Sequence, residues 1–346
     1  MNLRLPILQI AGSSILALPV LLFSLSAKAA PDCHEFSPWL LARNALSRLA
    51  QSPSETAEAL EAATQAESAA RVGVSKTIFR EYLAGVSFGT RLDDCLAPFD
   101  NGGNFLFTLQ DIFFSESIVR LRASQSPSIR KFLALLDGKL AAGLAPSFRL
   151  TGLQFSPDDP GPWQAGFHRG AGSIYADFRK IPSNEWLLIF THEMLHGLDD
   201  DLAAAMRNYN DPERVARFTA LSSTARSLND LPPAARGDLT GWLEAGLGRG
   251  LWAEYRAWVP SLVIYQEGLA EGLWRNVPWV DAVLAQRPAS MSFDRFVYLY
   301  LDHGSPDPTT GLFAIPLLQS SLAEFRAEFR TQNKLPEPGN LAPLGF

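Results

Sequence analysis

"LLIFTHEMLHGLDDDL", residues 187 to 202, decides how this chain is read. Only 5 histidines occur among 346 residues, and two of them stand four apart with a glutamate directly after the first. On an α-helix a spacing of four puts His192 and His196 on one face, one turn apart, where their ring nitrogens can converge on a tetrahedral Zn²⁺. Glu193 follows about 100° further round the helix, close enough to reach a water on such an ion. Leu188, Leu195 and Asp199 share the histidine face, and Pro182 and Ser183 precede it as helix-start signals. An amphipathic core helix with two satisfied histidines explains the apolar residues. It does not explain the order His, Glu, His, which supplies two neutral nitrogen ligands and a general base.

Upstream of the motif the pattern turns to strands. "SFRLTGLQFS" (147 to 156) alternates, with a break at Gly152, and "SIYADF" (173 to 178) places Ile174, Ala176 and Phe178 on one side. The Pro and Gly rich stretch "SPDDPGPWQAGFHRGAG" (156 to 172) reads as a long connecting loop. Earlier still, "WLLARNALSRLA" (39 to 50), "SETAEALEAATQAESAARV" (54 to 72, with Ser54 as N-cap) and "SPSIRKFLALLDGKLAAGL" (126 to 144) carry helical spacing. "APFDNGGN" (97 to 104) is turn chemistry and lacks the Gly-Lys-Ser/Thr ending of a phosphate loop. The expectation is an α+β, predominantly helical protein: a helical N-terminal region over 30–145, a catalytic region over 146–330 in which a short β element precedes the motif helix, and a tail over 331–346.

"GSIYADF" followed by "LIFTHEMLHGLDD" resembles the zincin metallopeptidases, and the resemblance spans residues 147 to about 275. It implies an edge strand at 173–178 that binds extended substrate, a zinc ion on His192 and His196, and Glu193 as the base that accepts a proton from the attacking water. In metzincins a third ligand follows six residues after the second histidine, and here Leu202 stands there. The chain is instead similar to gluzincins, which take a glutamate from a later helix, often in a Glu-x-x-Ala setting. "LWAEYRAWVPSL" (251 to 262) offers Glu254 with Ala257 three residues on, at the edge of an apolar stripe of Leu251, Tyr255, Trp258 and Leu262 and beside small residues Gly250, Ala257 and Ser261. "YQEGLAEGLW" (265 to 274) holds two competitors, Glu267 and Glu271. Trp258 occupies the place where gluzincins carry an aspartate that orients a ligand histidine, a role that falls to Asp199 in this reading. For the donor facing a developing oxyanion, His168, Tyr255, Tyr298 and His303 all qualify.

The ends and the charge bound the setting. Met1 to Arg4 is basic, Leu5 to Leu25 is mostly apolar, and Ala27-Lys28-Ala29 has the small-x-small form of a cleaved signal, with cleavage expected after Ala29. An uncleaved membrane anchor is the alternative. No lipobox precedes Cys33. Export to the periplasm or beyond makes Cys33 and Cys95, the only cysteines, candidates for a disulfide, with two free thiols as the alternative. Without the signal the chain carries 28 Lys and Arg against 36 Asp and Glu, which argues against nucleic acid or an anionic membrane as partner. The sequence thus points to an exported zinc peptidase acting on peptide or protein, with no stable membrane insertion once the signal is cut. The competing readings are a non-catalytic zinc-containing binding or scaffold protein, and a zinc amidase acting on cell-wall peptides.

Overall fold

A computed structural model describes residues 33 to 280 apart from 53, 55, 89–90, 97–102, 154–163, 169–170, 201, 204–211, 225–230 and 279. The signal segment, Tyr298, His303 and the 331–346 tail lie outside the described residues. The described chain is mostly helical with one small sheet, in keeping with the α+β expectation.

Five helices come first: α1 (Ser37–Ala50), α2 (Ala57–Leu83), α3 (Arg91–Leu96), α4 (Gly103–Arg122) and α5 (Pro127–Ala141). The N-cap of α2 is Thr56, whose hydroxyl accepts from the Ala59 N–H at 3.2 Å, rather than Ser54. The helix also runs well past Val72, because Val74, Ile78 and Tyr82 continue a buried stripe at a spacing of four. Ser126 caps α5 by accepting from the Ile129 N–H at 3.2 Å. Cys33 and Cys95 form a disulfide, tying the start of the described chain to α3 across 62 residues of sequence. Closing a loop of that length restricts the unfolded chain by about 4 kcal/mol in the chain-entropy account. Urea unfolding with and without reductant should therefore show a stability loss of about that size on reduction.

The sheet has strands β1 (Ser147–Leu150), β2 (Ala165–His168) and β3 (Ser173–Ala176) in the order β1-β3-β2. Parallel pairing joins β1 to β3, setting Phe148 beside Ile174, and antiparallel pairing joins β2 to β3, setting Phe167 beside Ile174. Gly152, at φ +79°, turns the chain out of β1, and an added Cβ there would meet the Asp177 carboxylate. Two expectations change. Among the described residues β3 is the centre of the sheet rather than an edge, and part of the expected 156–172 loop forms β2, which takes the edge position. A four-residue run such as Ala-Gly-Phe-His is too short for alternation to announce it. Pairing with β3 makes it a strand.

Among the described residues the further α-helices are α6 (Trp186–Leu198), which carries the motif, α7 (Pro212–Thr224) and α8 (Pro233–Ala270). One hydrophobic core runs from Phe36 to Val280 without a break at residues 145 and 146. Phe113 of α4 lies 4.9 Å from Phe178 and 5.2 Å from Trp186, ring centre to ring centre. The Trp186 indole N–H donates to Ser117 Oγ at 2.8 Å, and the Tyr82 hydroxyl donates to the Ile181 carbonyl at 2.8 Å. Burial raises the Tyr82 phenol well above its usual range, with the Glu185 and Asp177 charges adding to it, so it stays a donor. The N-terminal helices thus form a wall against which the start of α6 is held. Among the described residues no helix is long and apolar enough to cross a membrane.

Candidate metal centre

α6 is the central helix of this core: of its residues only Ile189 and Gly197 are not fully buried. A helix apolar on nearly every side must be surrounded. Here α5, α8, β2 and β3 pack around it. Gly197 lets the chain close in: a Cβ at that position would lie 2.2 Å from Pro146 Cγ and 3.1 Å from Phe167 Cε2. Gly197→Ala is expected to destabilise the fold by about 1–3 kcal/mol through overpacking, read as a lower midpoint in urea.

Within this enclosure the side chains of His192 and His196 are 4 % and 6 % exposed. Their Nε2 atoms face each other at 3.2 Å. The Glu254 carboxylate, reaching over from α8, spans them: Oε2 lies 3.4 Å from His192 Nε2 and Oε1 lies 3.4 Å from His196 Nε2. A carboxylate oxygen of Glu193 lies within 4.8 Å of a ring nitrogen of each histidine. Zinc–nitrogen and zinc–oxygen bonds of about 2.0–2.1 Å in tetrahedral geometry separate neighbouring ligand atoms by about 3.3–3.4 Å. The two nitrogens stand at about such an edge, each Glu254 oxygen stands at edge distance from a different one of them, and a donor set of two imidazoles and a carboxylate suits a first-row ion such as zinc. His192, His196 and Glu254 therefore fit a metal ion.

Electrostatics divide the two glutamates. Burial raises the Glu193 carboxyl above its ordinary range; His192 and His196 oppose this, and the Glu254 charge adds to it. Burial also acts to raise Glu254, but hydrogen bonds and charge from His192 and His196 outweigh it and hold that carboxyl well below the usual range. Of the two carboxyls, Glu254 is thus the more readily ionised and Glu193 the more readily protonated. The Glu254 side chain keeps 30 % of its surface exposed, whereas His192, Glu193 and His196 are buried.

Other expectations are redistributed. Asp199, expected to orient a histidine, instead pairs with Arg256: its Oδ1 accepts from Arg256 Nη2 at 2.8 Å and from the Leu202 N–H at 3.0 Å, and its Oδ2 accepts from Arg256 Nε. The chain leaves α6 at Asp199 in an extended conformation, which carries that carboxylate away from the rings and onto α8. His192 Nδ1 has no hydrogen-bond partner among the described residues. Its ring lies against the Trp258 indole, centroids 4.1 Å apart and planes tilted by 35°, so contact with the indole restrains it where a carboxylate was expected. The small-residue groove beside Glu254 is formed by Ala257 and Ser261, both buried, whereas Gly250 is exposed.

Glu267 and Glu271 are engaged elsewhere. Glu267 accepts from the Ser126 hydroxyl, from the Ser128 N–H at 3.0 Å and from the Ser128 hydroxyl at 2.9 Å. Glu271 accepts from Ser124 Oγ at 2.5 Å and from the Gln125 N–H at 3.2 Å. Both carboxylates sit at the N-terminus of α5, where negative charge is favoured. Glu267→Ala should cost about 1–3 kcal/mol through the buried donors it orphans and leave zinc content unchanged, checked by thermal melting beside metal analysis. Of the proposed oxyanion donors, His168 is exposed at the end of β2, its Nδ1 accepting from the Ala171 N–H at 3.1 Å, and Tyr255 is buried on α8. Arg256 carries no sequence signal beyond being a cation among apolar neighbours.

No protein-family model, curated protein or solved structure matches this chain.

Proposed function

We propose that this protein is an exported zinc-dependent peptidase of gluzincin-like type, cleaving peptide bonds in peptide or protein substrates. The observation that supports it most is the Glu254 carboxylate, 3.4 Å from the Nε2 atoms of two buried imidazoles that lie 3.2 Å apart. A zinc ion held by these three side chains would polarise a substrate carbonyl and acidify a water enough for it to ionise near neutral pH. Glu193 would take that proton on its raised carboxyl and pass it to the departing amine. Trp258 holds the His192 ring from one face, and the packed core around α6 keeps bulk water from the other sides. A base beside a three-ligand set supports catalysis over a purely structural ion, whose coordination would be closed by four protein ligands.

The deciding measurement is metal content, by mass spectrometry of the metals, in chain beginning at Ala30 and purified without chelator. About one zinc per chain, with chelator-sensitive hydrolysis of a peptide library, is the expected result. A folded sample that takes up no zinc when it is supplied would sink the reading. Hydrolysis of purified murein alone would redirect it to the cell-wall amidase alternative.

A further inference from the structure

The buried Asp199–Arg256 pair has no place in the chemistry above, and its position on α8 gives it one. At about 100° per residue, Arg256 lies about 200° round α8 from Glu254. The helix that carries Glu254 is therefore gripped on two nearly opposite flanks. From one flank Glu254 meets the imidazoles of α6, and from the other Arg256 meets Asp199, the residue that caps the C-terminus of α6.

Both side chains are 2 % exposed, the guanidinium engages the carboxylate through Nε and Nη2, and it also lies 5.0 Å over the Trp252 ring. Two fixed points nearly opposite each other set the rotation of a helix about its own axis. The carboxylate of a glutamate stands about 6 Å or more from that axis, so turning α8 by about 25° would move it by more than about 2 Å. That is enough to lose the bridging position over both rings.

We propose that Asp199 and Arg256 are positioning residues that lock the axial rotation of α8 and so hold Glu254 over His192 and His196. This rests on the reading of those three residues as a metal site. Energetics point the same way. A buried ion pair is a weak source of net stability, since exchanging both partners for neutral groups of similar size is often neutral. Such a pair is better suited to choosing one helix orientation among several than to strengthening the fold.

The test is D199N/R256M in the mature chain. The introduced asparagine would keep an oxygen for the Leu202 N–H, and the introduced methionine would keep much of the arginine's volume, so the apo protein should melt close to wild type. Zinc affinity, measured by competition with a chromophoric chelator, is expected to fall about 10- to 100-fold, the range seen when partners behind metal ligands are lost. The absorption spectrum of the cobalt-substituted protein should change with it, a signature that a merely structural role would not move. R256K keeps the charge but loses the planar fork, and should lie between the two; it also serves if the double variant does not fold. Wild-type zinc affinity and an unaltered cobalt spectrum in the folded variants would overturn the inference. Absence of zinc binding in wild type as well would remove the metal site itself, a different failure.

Discussion

Glu193→Gln is expected to lower the turnover of peptide cleavage by about 10²- to 10⁴-fold, the usual contribution of a positioned general base, while zinc remains near one per chain. The amide has almost the shape of the carboxyl, so packing in the buried α6 environment is kept and the ligands are untouched. What is lost is the ability to accept a proton. Burial raises the Glu193 carboxyl in the wild type, so its proton affinity is already shifted towards that of the water it would serve. Zinc content and peptide hydrolysis assayed on the same preparation separate the two effects. Full hydrolysis in the variant would remove Glu193 from the mechanism, and loss of zinc would make it a ligand.

The second large effect is expected at Glu254. Glu254→Ala removes the carboxylate that lies 3.4 Å from both Nε2 atoms. Zinc affinity should fall by more than the roughly 100-fold that loss of an outer partner can cause, and hydrolysis should fall with it. The fold should survive, because Glu254 is partly exposed and its helix is held elsewhere by Arg256, Glu267 and Glu271. Glu267→Ala provides the contrast, with stability lowered and zinc retained. If zinc titration gave the reverse pattern, the third ligand would belong to Glu267. Isothermal titration of zinc into wild type and both variants reads this directly.

These two variants also mark where sequence reading succeeds and where it stops. The motif helix is legible because a spacing of four is a local property: once the segment is helical, His192 and His196 must share a face. The short β element before it and the helical region belong to the same short-range class. Strand β2 does not, since four residues in a Pro and Gly rich stretch become a strand through pairing with β3. Nor can the central place of β3 be seen while β2 is hidden.

Among Glu254, Glu267 and Glu271, spacing along the chain favours the first through Ala257 and Ser261, yet the first two lie on one 38-residue helix and the third caps its end. Which of them meets α6 depends on how that helix is rotated and where it crosses. This is set by contacts 57 residues apart for Asp199 and Arg256 and 139 apart for Glu267 and Ser128 at the start of α5. Asp199 departs from its expected role for the same reason: its proximity to His196 in sequence suggests the ring as partner, while the turn out of α6 delivers it to a guanidinium. Helix periodicity places a side chain on a face, but the neighbour that face meets is chosen by packing between segments remote in sequence. The paired histidines and the glutamate on α6 could therefore be read from spacing, whereas their third partner and the groups that hold it required the folded chain.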